Sequence, residues 1–212
     1  MPTLIAVSKH QPATAIAELA AAGQRDFGEN YVQEALRKRQ ELREGGLPEP
    51  AVWHLIGHLQ TNKAREAAEA FDWVQSVDRM AVIGALALHR PLTRPPLNVL
   101  LQVNIDAEAG KHGCQPEAVE GLADAVAAHS TLLLRGLMVI PAPHPRIEAR
   151  RPAFRAARDL FDALRHRHDS VDTLSMGMSD DHAVALSEGA TMVRIGTALF
   201  GARQRMAETG RS

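Results

Sequence analysis

Residues that can bind a small anion follow two apolar runs near the end of the chain. Residues 174–178 form a short apolar run that breaks at Ser179, and residues 192–195 form a second run that continues into Gly196 and Thr197. Apolar positions at helical spacing lie between the runs, so the pattern predicts a strand–helix–strand unit with parallel strands. At the ends of such strands, two hydroxyls, a small glycine and free N–H groups favour a phosphate. Ordinary turn chemistry is the alternative, and it explains either loop taken alone.

A lysine ends the first apolar run of the sequence. Lys9 follows residues 4–7, which are typical of a strand buried on both faces. A lysine at the end of such a strand is partly desolvated, which disfavours its charged form and frees the amine as a nucleophile. An amine facing a phosphate site is the equipment that holds pyridoxal phosphate as a Schiff base. A solvent-exposed surface lysine is the alternative, and the phosphate site favours the cofactor role.

Arg194 lies on the strand that leads into Gly196. A guanidinium that faces a pyridine nitrogen has no acceptor and does not readily give up its proton. The ring nitrogen would then stay unprotonated, and the cofactor would be a weaker electron sink than with an aspartate partner. The alternative is an arginine on the other face of the strand, paired with a helix carboxylate.

Other groups with potential chemistry give weaker signals. His54 and His58 straddle a strand and its exit, so we expect a structural and a loop histidine and no metal site. Cys114 has no partner pattern that would make it a nucleophile. Lys38 belongs to a basic run, residues 37–39, that is typical of a solvated helix face.

Eight strand candidates alternate with helices along the whole chain. The predicted strands are residues 4–7, 26–28, 52–56, 73–77, 97–105, 132–140, 174–178 and 192–195. The predicted helices are residues 13–22, 32–44, 63–70, 79–89, 116–130, 152–168 and 182–188, with no evident helix after the last strand. This alternation predicts one α/β domain over residues 1–212 with the (β/α)8 or TIM-barrel fold, rather than a doubly wound sheet. In that fold all the strand ends named above meet at one face.

Composition limits the class of protein. The net charge is −1, which argues against binding of nucleic acid or anionic membrane. A single cysteine excludes an internal disulfide framework and fits a reducing cytoplasm. The N-terminus has no charged region of the kind that opens a signal peptide, and no apolar stretch approaches membrane-spanning length. We therefore expect a soluble cytoplasmic protein.

Eight segments of the chain resemble the pyridoxal-phosphate homeostasis proteins, a single-domain barrel group related to the N-terminal domain of bacterial alanine racemase. These segments are LIAVSK, DFGENYVQE, WHLIGHLQTNK, VQSVDR, LLQVNI, GLMVIPAP, LSMGMSDD and VRIGTALFGAR. They run nearly from end to end, and several are long and unusual. Family members usually carry an additional helix before the lysine strand, and this chain starts almost at the strand, so we expect the barrel to lack that helix.

The resemblance implies a cofactor and the residues that bind it. It implies pyridoxal phosphate held covalently on Lys9, with Asn30 near the cofactor ring and Arg194 at the pyridine nitrogen. It also implies that Ser179, Gly196 and Thr197, which follow the last two strands, bind the phosphate. Ser175 belongs to the same motif as Ser179.

Three functions are compatible with these residues. The first is a binding and regulatory protein that holds pyridoxal phosphate in vitamin B6 homeostasis and delivers it to apo-enzymes that use the cofactor. The sequence leaves open whether such a protein is a monomer or a weak dimer. The second is an amino-acid racemase. Racemisation needs an acid/base group on each face of the substrate, and alanine racemase takes its second base, a tyrosine, from an additional domain and subunit; the only tyrosine here is Tyr31. The third is a barrel that binds another phosphorylated metabolite non-covalently.

Overall fold

Eight parallel strands close into a barrel in the order in which they occur in the chain. The computed structural model describes residues 1–50 and 52–201. The strands are β1 Thr3–Val7, β2 Asp26–Glu29, β3 Val52–Leu55, β4 Trp73–Val77, β5 Leu97–Val103, β6 Leu132–Val139, β7 Thr173–Met178 and β8 Met192–Ile195. The prediction of a (β/α)8 barrel is confirmed.

Helices follow the strands around the outside of the barrel. They are α1 Ala13–Ala21, α2 Val32–Glu44, α3 Ala64–Ala70, α4 Met80–His89, α5 Val119–Ala127, α6 Arg151–Arg165, α7 His182–Ser187 and α8 Thr197–Phe200. In the part of the chain that the structure describes, none of these helices has both the length and the apolar character needed to cross a bilayer.

Helix ends differ from the sequence-based predictions at several points. A 3₁₀ turn at Thr61–Lys63 precedes α3, so the helix starts one residue later than predicted. Similar 3₁₀ turns occupy Pro116–Ala118 before α5 and Ile147–Arg150 before α6. The last of these lies within the proline-rich stretch of residues 141–152. Proline is compatible with the first turn of a helix, because the N–H that it lacks has no helical partner there.

The chain after β8 turns directly into a short helix, α8, that the sequence did not predict. Four residues are too few to show an apolar period, which explains the omission. Residues 202–212, a short polar segment of the sequence, lie outside the described residues.

The apolar core lies between the barrel and its helices. Phe27 and Trp53 project from neighbouring strands and are almost fully buried, as are Phe154 and Phe161 on the inner face of α6. Parallel strands that are covered by helices bury both faces, which accounts for the nearly continuous apolar runs in the sequence. The arrangement leaves the strand ends and their loops as the surfaces available for chemistry.

Strands β6 and β7 approach each other at a glycine. Gly136 of β6 has φ +141°, and a Cβ atom there would lie 2.0 Å from the carbonyl oxygen of Thr173 on β7. We expect Gly136→Ala to lower the free energy of unfolding by about 2 kcal/mol or more, through backbone strain and overpacking. Urea denaturation measures this loss.

The matched control is Gly84→Ala in α4, where a Cβ atom would meet nothing within 4 Å. In a helix interior this change stabilises by up to about 1 kcal/mol. Equal effects of the two substitutions would contradict the close approach of β6 and β7.

Candidate functional site

The predicted site residues occupy neighbouring loops on one face of the barrel. β1 pairs with β8 through Ala6 and Ile195, and with β2 through Val7 and Gly28. β7 pairs with β8 through Met178 and Arg194. The loops that follow these four strands therefore stand side by side in the order β7, β8, β1, β2. They carry Ser179, then Gly196 and Thr197, then Lys9, then Asn30.

The separation of these loops is set by the sheet. Adjacent strands lie about 4.8 Å apart, so the β7 loop stands about 10 Å from the β1 loop across β8. Lys9, Asn30 and Ser179 are half-buried and Thr197 is exposed. The barrel thus brings an amine, an amide and two hydroxyls to one surface that a small molecule can reach.

The loop that carries Ser179 is a tight turn closed by Asp181. The Asp181 carboxylate accepts a hydrogen bond from the N–H of Met178 at 2.7 Å, and the Asp181 N–H donates to the Met178 carbonyl at 3.1 Å. Its second carboxylate oxygen pairs with Arg150 at 2.5 Å, and Asp181 is almost fully buried. Ser179 is therefore presented at the tip of a turn held from below.

Gly196 separates β8 from α8. Its φ is −112°, which any residue tolerates, and a Cβ atom would lie 3.4 Å from the carbonyl oxygen of Val7, an ordinary contact. Neither backbone conformation nor crowding by the protein requires a glycine here. In the same region Gly177 is constrained, with φ +93° and a hypothetical Cβ 2.6 Å from the Ala185 side chain. The packing of the protein thus accounts for a glycine at residue 177 and not at residue 196.

The backbone on both sides of Lys9 is clamped by a buried ion cluster. The Lys38 ammonium donates to the Ser8 carbonyl at 2.7 Å and pairs with Glu29 at 2.8 Å and with Glu34 at 2.7 Å. Glu34 in turn accepts the N–H of His10 at 2.5 Å. His10 has φ +63°, a left-handed conformation that is costly for a side chain other than glycine. The cluster therefore holds a strained turn with Lys9 at its centre.

The two carboxylates of this cluster differ in their electrostatics. Burial raises the pKa of Glu29, and this effect outweighs the opposing hydrogen bonds from Lys38 and Ser8. Burial also acts to raise the pKa of Glu34, but hydrogen bonds from Lys38 and the His10 N–H bring it below its usual value. Lys38 is the cation that permits both groups to be charged in the interior.

Lys9 differs from the other lysines of the chain in its partners. The four lysines are Lys9, Lys38, Lys63 and Lys111. Lys38 pairs with Glu29 and Glu34, Lys63 pairs with Glu66 at 3.2 Å, and Lys111 pairs with Glu108. Within residues 1–50 and 52–201, Lys9 forms no ion pair. Its amine is the one lysine amine that no carboxylate of the described chain engages.

Arg194 points into the barrel and not towards the helices. Its guanidinium donates to the Ser175 hydroxyl at 2.7 Å and to the Val139 carbonyl at 3.0 Å. These contacts exclude pairing with a helix carboxylate on the outer face. Burial lowers the pKa of Arg194 to about 10, against the carboxylate of Asp181, which raises it, so the side chain stays cationic at neutral pH.

Ser175 lies inside the barrel, within a chain of hydrogen bonds. Its hydroxyl donates to Gln75 Oε1 at 2.7 Å, and Gln75 Nε2 lies 3.0 Å from His54 Nδ1. His54 Nε2 lies 3.0 Å from the carboxylate of Asp26. Burial lowers the pKa of His54 and outweighs the effect of Asp26, so the imidazole is neutral. Ser175 is placed to orient Arg194, and its contact with a ligand stays a prediction.

A cavity of about 530 Å³ opens on the same face, next to the β3 loop. Of the predicted site residues it includes only Asn30; its walls also carry His58, Lys63 and His112. Burial lowers the pKa of His58, as does His112, against Asp78, which raises it. The face therefore has a second sector, beside the one that carries Lys9.

Comparison with known proteins identifies relatives of this chain. The family model for the N-terminal domain of alanine racemase matches residues 2–204. A pyridoxal phosphate homeostasis protein of Pseudomonas aeruginosa is 54% identical over 200 residues, 94% of this chain and 84% of the relative. The chain belongs to the pyridoxal phosphate homeostasis protein family. The Escherichia coli member is 50% identical over 201 residues, 95% of this chain and 86% of the relative.

A solved structure supports the same assignment. PipY of Synechococcus elongatus, with pyridoxal phosphate bound, has a TM-score of 0.83 and 41% identity, covering 93% of this chain and 92% of that chain. The resemblance to the pyridoxal phosphate homeostasis family that the sequence motifs indicate is confirmed.

Sequence reasoning missed the clamp around Lys9. Lys38 was predicted to lie on a solvated face, and this is wrong: it is fully buried. The sequence does contain a signal for the burial of Lys38. This residue falls between Ala35 and Leu42 on the buried face of α2, and it stands four residues after Glu34. The family segment DFGENYVQE contains both Glu29 and Glu34.

We expect Lys38→Met to destabilise the protein by about 3–5 kcal/mol at neutral pH, because it leaves two carboxylates without a cation. Loss of the cation raises the folded-state pKa of both carboxyls: that of Glu29 is already above its ordinary value, and that of Glu34 is held below its ordinary value by Lys38 in the unsubstituted protein. Stability from a raised carboxyl pKa is present below the unfolded pKa and is lost as pH rises through the folded pKa. The difference from the unsubstituted protein is therefore smaller at pH 5 than at pH 8, in urea denaturation at each pH.

The double variant Glu29→Gln with Lys38→Met separates charge from packing. It removes one stranded carboxylate and is expected to recover part of the stability at pH 8. A loss that is equal at both pH values, with no recovery in the double variant, would show that Lys38 acts by packing alone.

Proposed function

We propose that this protein binds pyridoxal phosphate covalently through Lys9 and serves in cellular vitamin B6 homeostasis by holding the cofactor and delivering it to apo-enzymes. The observation that carries the proposal is that Lys9, alone among the lysines, has no carboxylate partner within the described residues, and that it lies in a clamped turn beside the β7 and β8 loops. The names of the relatives and the ligand of PipY support the same cofactor.

The donor groups on this face fit the cofactor's parts. Pyridoxal phosphate has an aldehyde, a pyridine ring and a phosphate. Lys9 supplies an amine for the aldehyde. The hydroxyls of Ser179 and Thr197, with the backbone N–H groups at the start of α8, supply donors for the phosphate. Gly196 carries no side chain that would hold the backbone away from that phosphate.

Lys9 performs the covalent step in this proposal. Its amine would hold the cofactor at the aldehyde carbon, with the aldehyde oxygen released as water. When bound, the cofactor supplies an electron-withdrawing ring conjugated to that carbon. The clamp of Lys38, Glu29 and Glu34 keeps the Lys9 backbone fixed while its side chain remains free to react.

Arg194 orients and moderates the ring in this proposal. Its guanidinium is held by Ser175 and Val139, which use two of its five N–H donors. A cation at the pyridine nitrogen would hold that nitrogen unprotonated, and the ring would then withdraw electrons weakly.

Tyr31 is a poor candidate for the second base that racemisation needs. Tyr31, the only tyrosine in the sequence, starts α2 at the rim and is 57% exposed, with its ring 6.1 Å from that of His10. We propose the cytoplasm as the compartment, where the free, buried thiol of Cys114 is stable.

We expect Lys9→Ala to abolish the near-ultraviolet or visible absorbance band that the Schiff base gives on addition of pyridoxal phosphate. Borohydride reduction of the unsubstituted protein is expected to add the mass of reduced cofactor at Lys9, located by peptide mass spectrometry. Lys63→Ala and Lys111→Ala are the controls, and both keep the band.

A band that survives Lys9→Ala with its mass adduct on another lysine would overturn the assignment of Lys9. Binding without any band or adduct would favour non-covalent binding of a phosphorylated ligand. Interconversion of L- and D-amino acids at ordinary enzyme rates by the loaded protein, followed by optical rotation, would favour the racemase.

The phosphate assignment has its own test. We expect Thr197→Ala to weaken pyridoxal phosphate binding at least about tenfold, since a hydrogen bond to a charged group contributes about 1.5–3 kcal/mol. Binding of pyridoxal, which lacks the phosphate, is expected to change little. Spectroscopic titration measures both affinities, and Thr14→Ala on the exposed face of α1 is the matched control. An equal loss for both ligands would place the phosphate elsewhere.

A further inference from the structure

Two histidines and an aspartate meet on the sector of the barrel face beside the cavity, next to the sector that carries Lys9. His58 follows β3, Asp78 follows β4, and His112 lies in the loop after β5. One ligand atom from each lies within 4.8 Å of the other two. The imidazole rings of His58 and His112 stack at 3.7 Å between centroids, and His58 Nδ1 lies 3.8 Å from Asp78 Oδ2.

We propose that His58, Asp78 and His112 bind a divalent transition-metal ion of the Zn²⁺ type. Two imidazole nitrogens and a carboxylate oxygen are the ligand types that such ions take, and three protein ligands leave a coordination position open. The histidines border the cavity of about 530 Å³, which gives that position access to solvent or to a small ligand. This proposal does not depend on the cofactor proposed above.

The backbone that carries each histidine is fixed. Gly57, just before His58, packs on the β2 loop so closely that a Cβ atom would lie 2.2 Å from the Asn30 carbonyl oxygen. The His112 carbonyl accepts a hydrogen bond from Gln102 at 3.2 Å, and Gly113 packs on the backbone of β5 with φ +117°. Both histidines therefore project from anchored loops, so that a metal would order only their side chains.

Asp78 is oriented by a neighbouring arginine. Arg79 donates to Asp78 Oδ1 at 2.6 Å and to the Leu59 carbonyl at 2.9 Å. This leaves Oδ2 as the oxygen that faces His58. A hydrogen bond that fixes a ligating carboxylate in this way is the usual support around a metal centre. The positive charge of Arg79 also opposes a second cation, which limits the site to one ion.

Binding requires a small rearrangement of the two rings. Ligand atoms around a tetrahedral ion with bonds near 2.1 Å lie about 3.4 Å apart, closer than the 3.8 Å between His58 Nδ1 and Asp78 Oδ2. Stacked rings also direct their lone pairs side by side, so at least one imidazole has to rotate for both to converge. Both histidines are at the surface, where side-chain rotation is cheap.

Titration calorimetry of the tag-free full chain with Zn²⁺ tests the proposal. We expect one ion per chain, and at least about tenfold weaker binding in each of His58→Ala, His112→Ala and Asp78→Asn. His129→Ala, an exposed histidine at the opposite end of the barrel, is the matched control and keeps the affinity of the unsubstituted protein. Failure to bind Zn²⁺, or equal affinity in the double variant of His58→Ala with His112→Ala, would overturn the site.

Folding and donor identity are checked in the same proteins. Zn²⁺ is expected to raise the thermal midpoint of the unsubstituted protein and not that of the double histidine variant, while the two have similar midpoints in chelator. Co²⁺ is expected to give ligand-field bands that the double variant lacks. A thiolate-to-metal charge-transfer band would identify Cys114 as a ligand and would overturn the proposed donor set.

Discussion

Closure of the barrel between its first and last strands is the constraint on which the site depends. β1 pairs with β8 over four registered positions, from Thr3 with Met192 to Ala6 with Ile195. Residues 9 and 196 are far apart in the sequence, and only this pairing makes their loops neighbours. Because parallel strands end at the same face, closure also fixes that the lysine and the phosphate-type loops point the same way. An open sheet with the same strands would leave β1 and β8 on opposite edges.

The protein separates two lysines near one strand end by giving them different surroundings. Lys38 is enclosed and neutralised by Glu29 and Glu34, so its charge serves the turn after β1. Lys9 sits in that turn without a carboxylate partner among the described residues. Burying the first cation therefore rigidifies the backbone from which the second projects. A buried ion cluster of this kind contributes little net stability compared with apolar packing, so its value lies in geometry.

Sequence periodicity was sufficient for the barrel, and motif spacing for the strand-end loops. Eight apolar runs, punctuated by glycine and polar residues, gave the strands to within one or two residues. Helix starts were less accessible, because 3₁₀ turns and α-helices share composition. Interactions between buried polar groups were the main feature that the sequence did not predict. The chain from Asp26 through His54 and Gln75 to Ser175 and Arg194 links five strands, and no local pattern specifies which strands face one another across a barrel. The proximity of His58 to His112 was not predicted for the same reason, because the two residues lie in loops that follow different strands.

The loops of the two sectors of the barrel face differ in how closely they pack on their neighbouring loops. The β7 loop is closed internally by Asp181, and the β5 loop is held on its own strand through Gln102 and Gly113. Either loop can change its exposed side chains without moving the other. The β2 and β3 loops differ, because the backbone of Asn30 and Gly57 is packed too closely to admit even a methyl group. A shift of the β3 loop therefore has to displace Asn30 as well. The close approach of Asn30 and Gly57 therefore couples the lysine sector to the histidine sector.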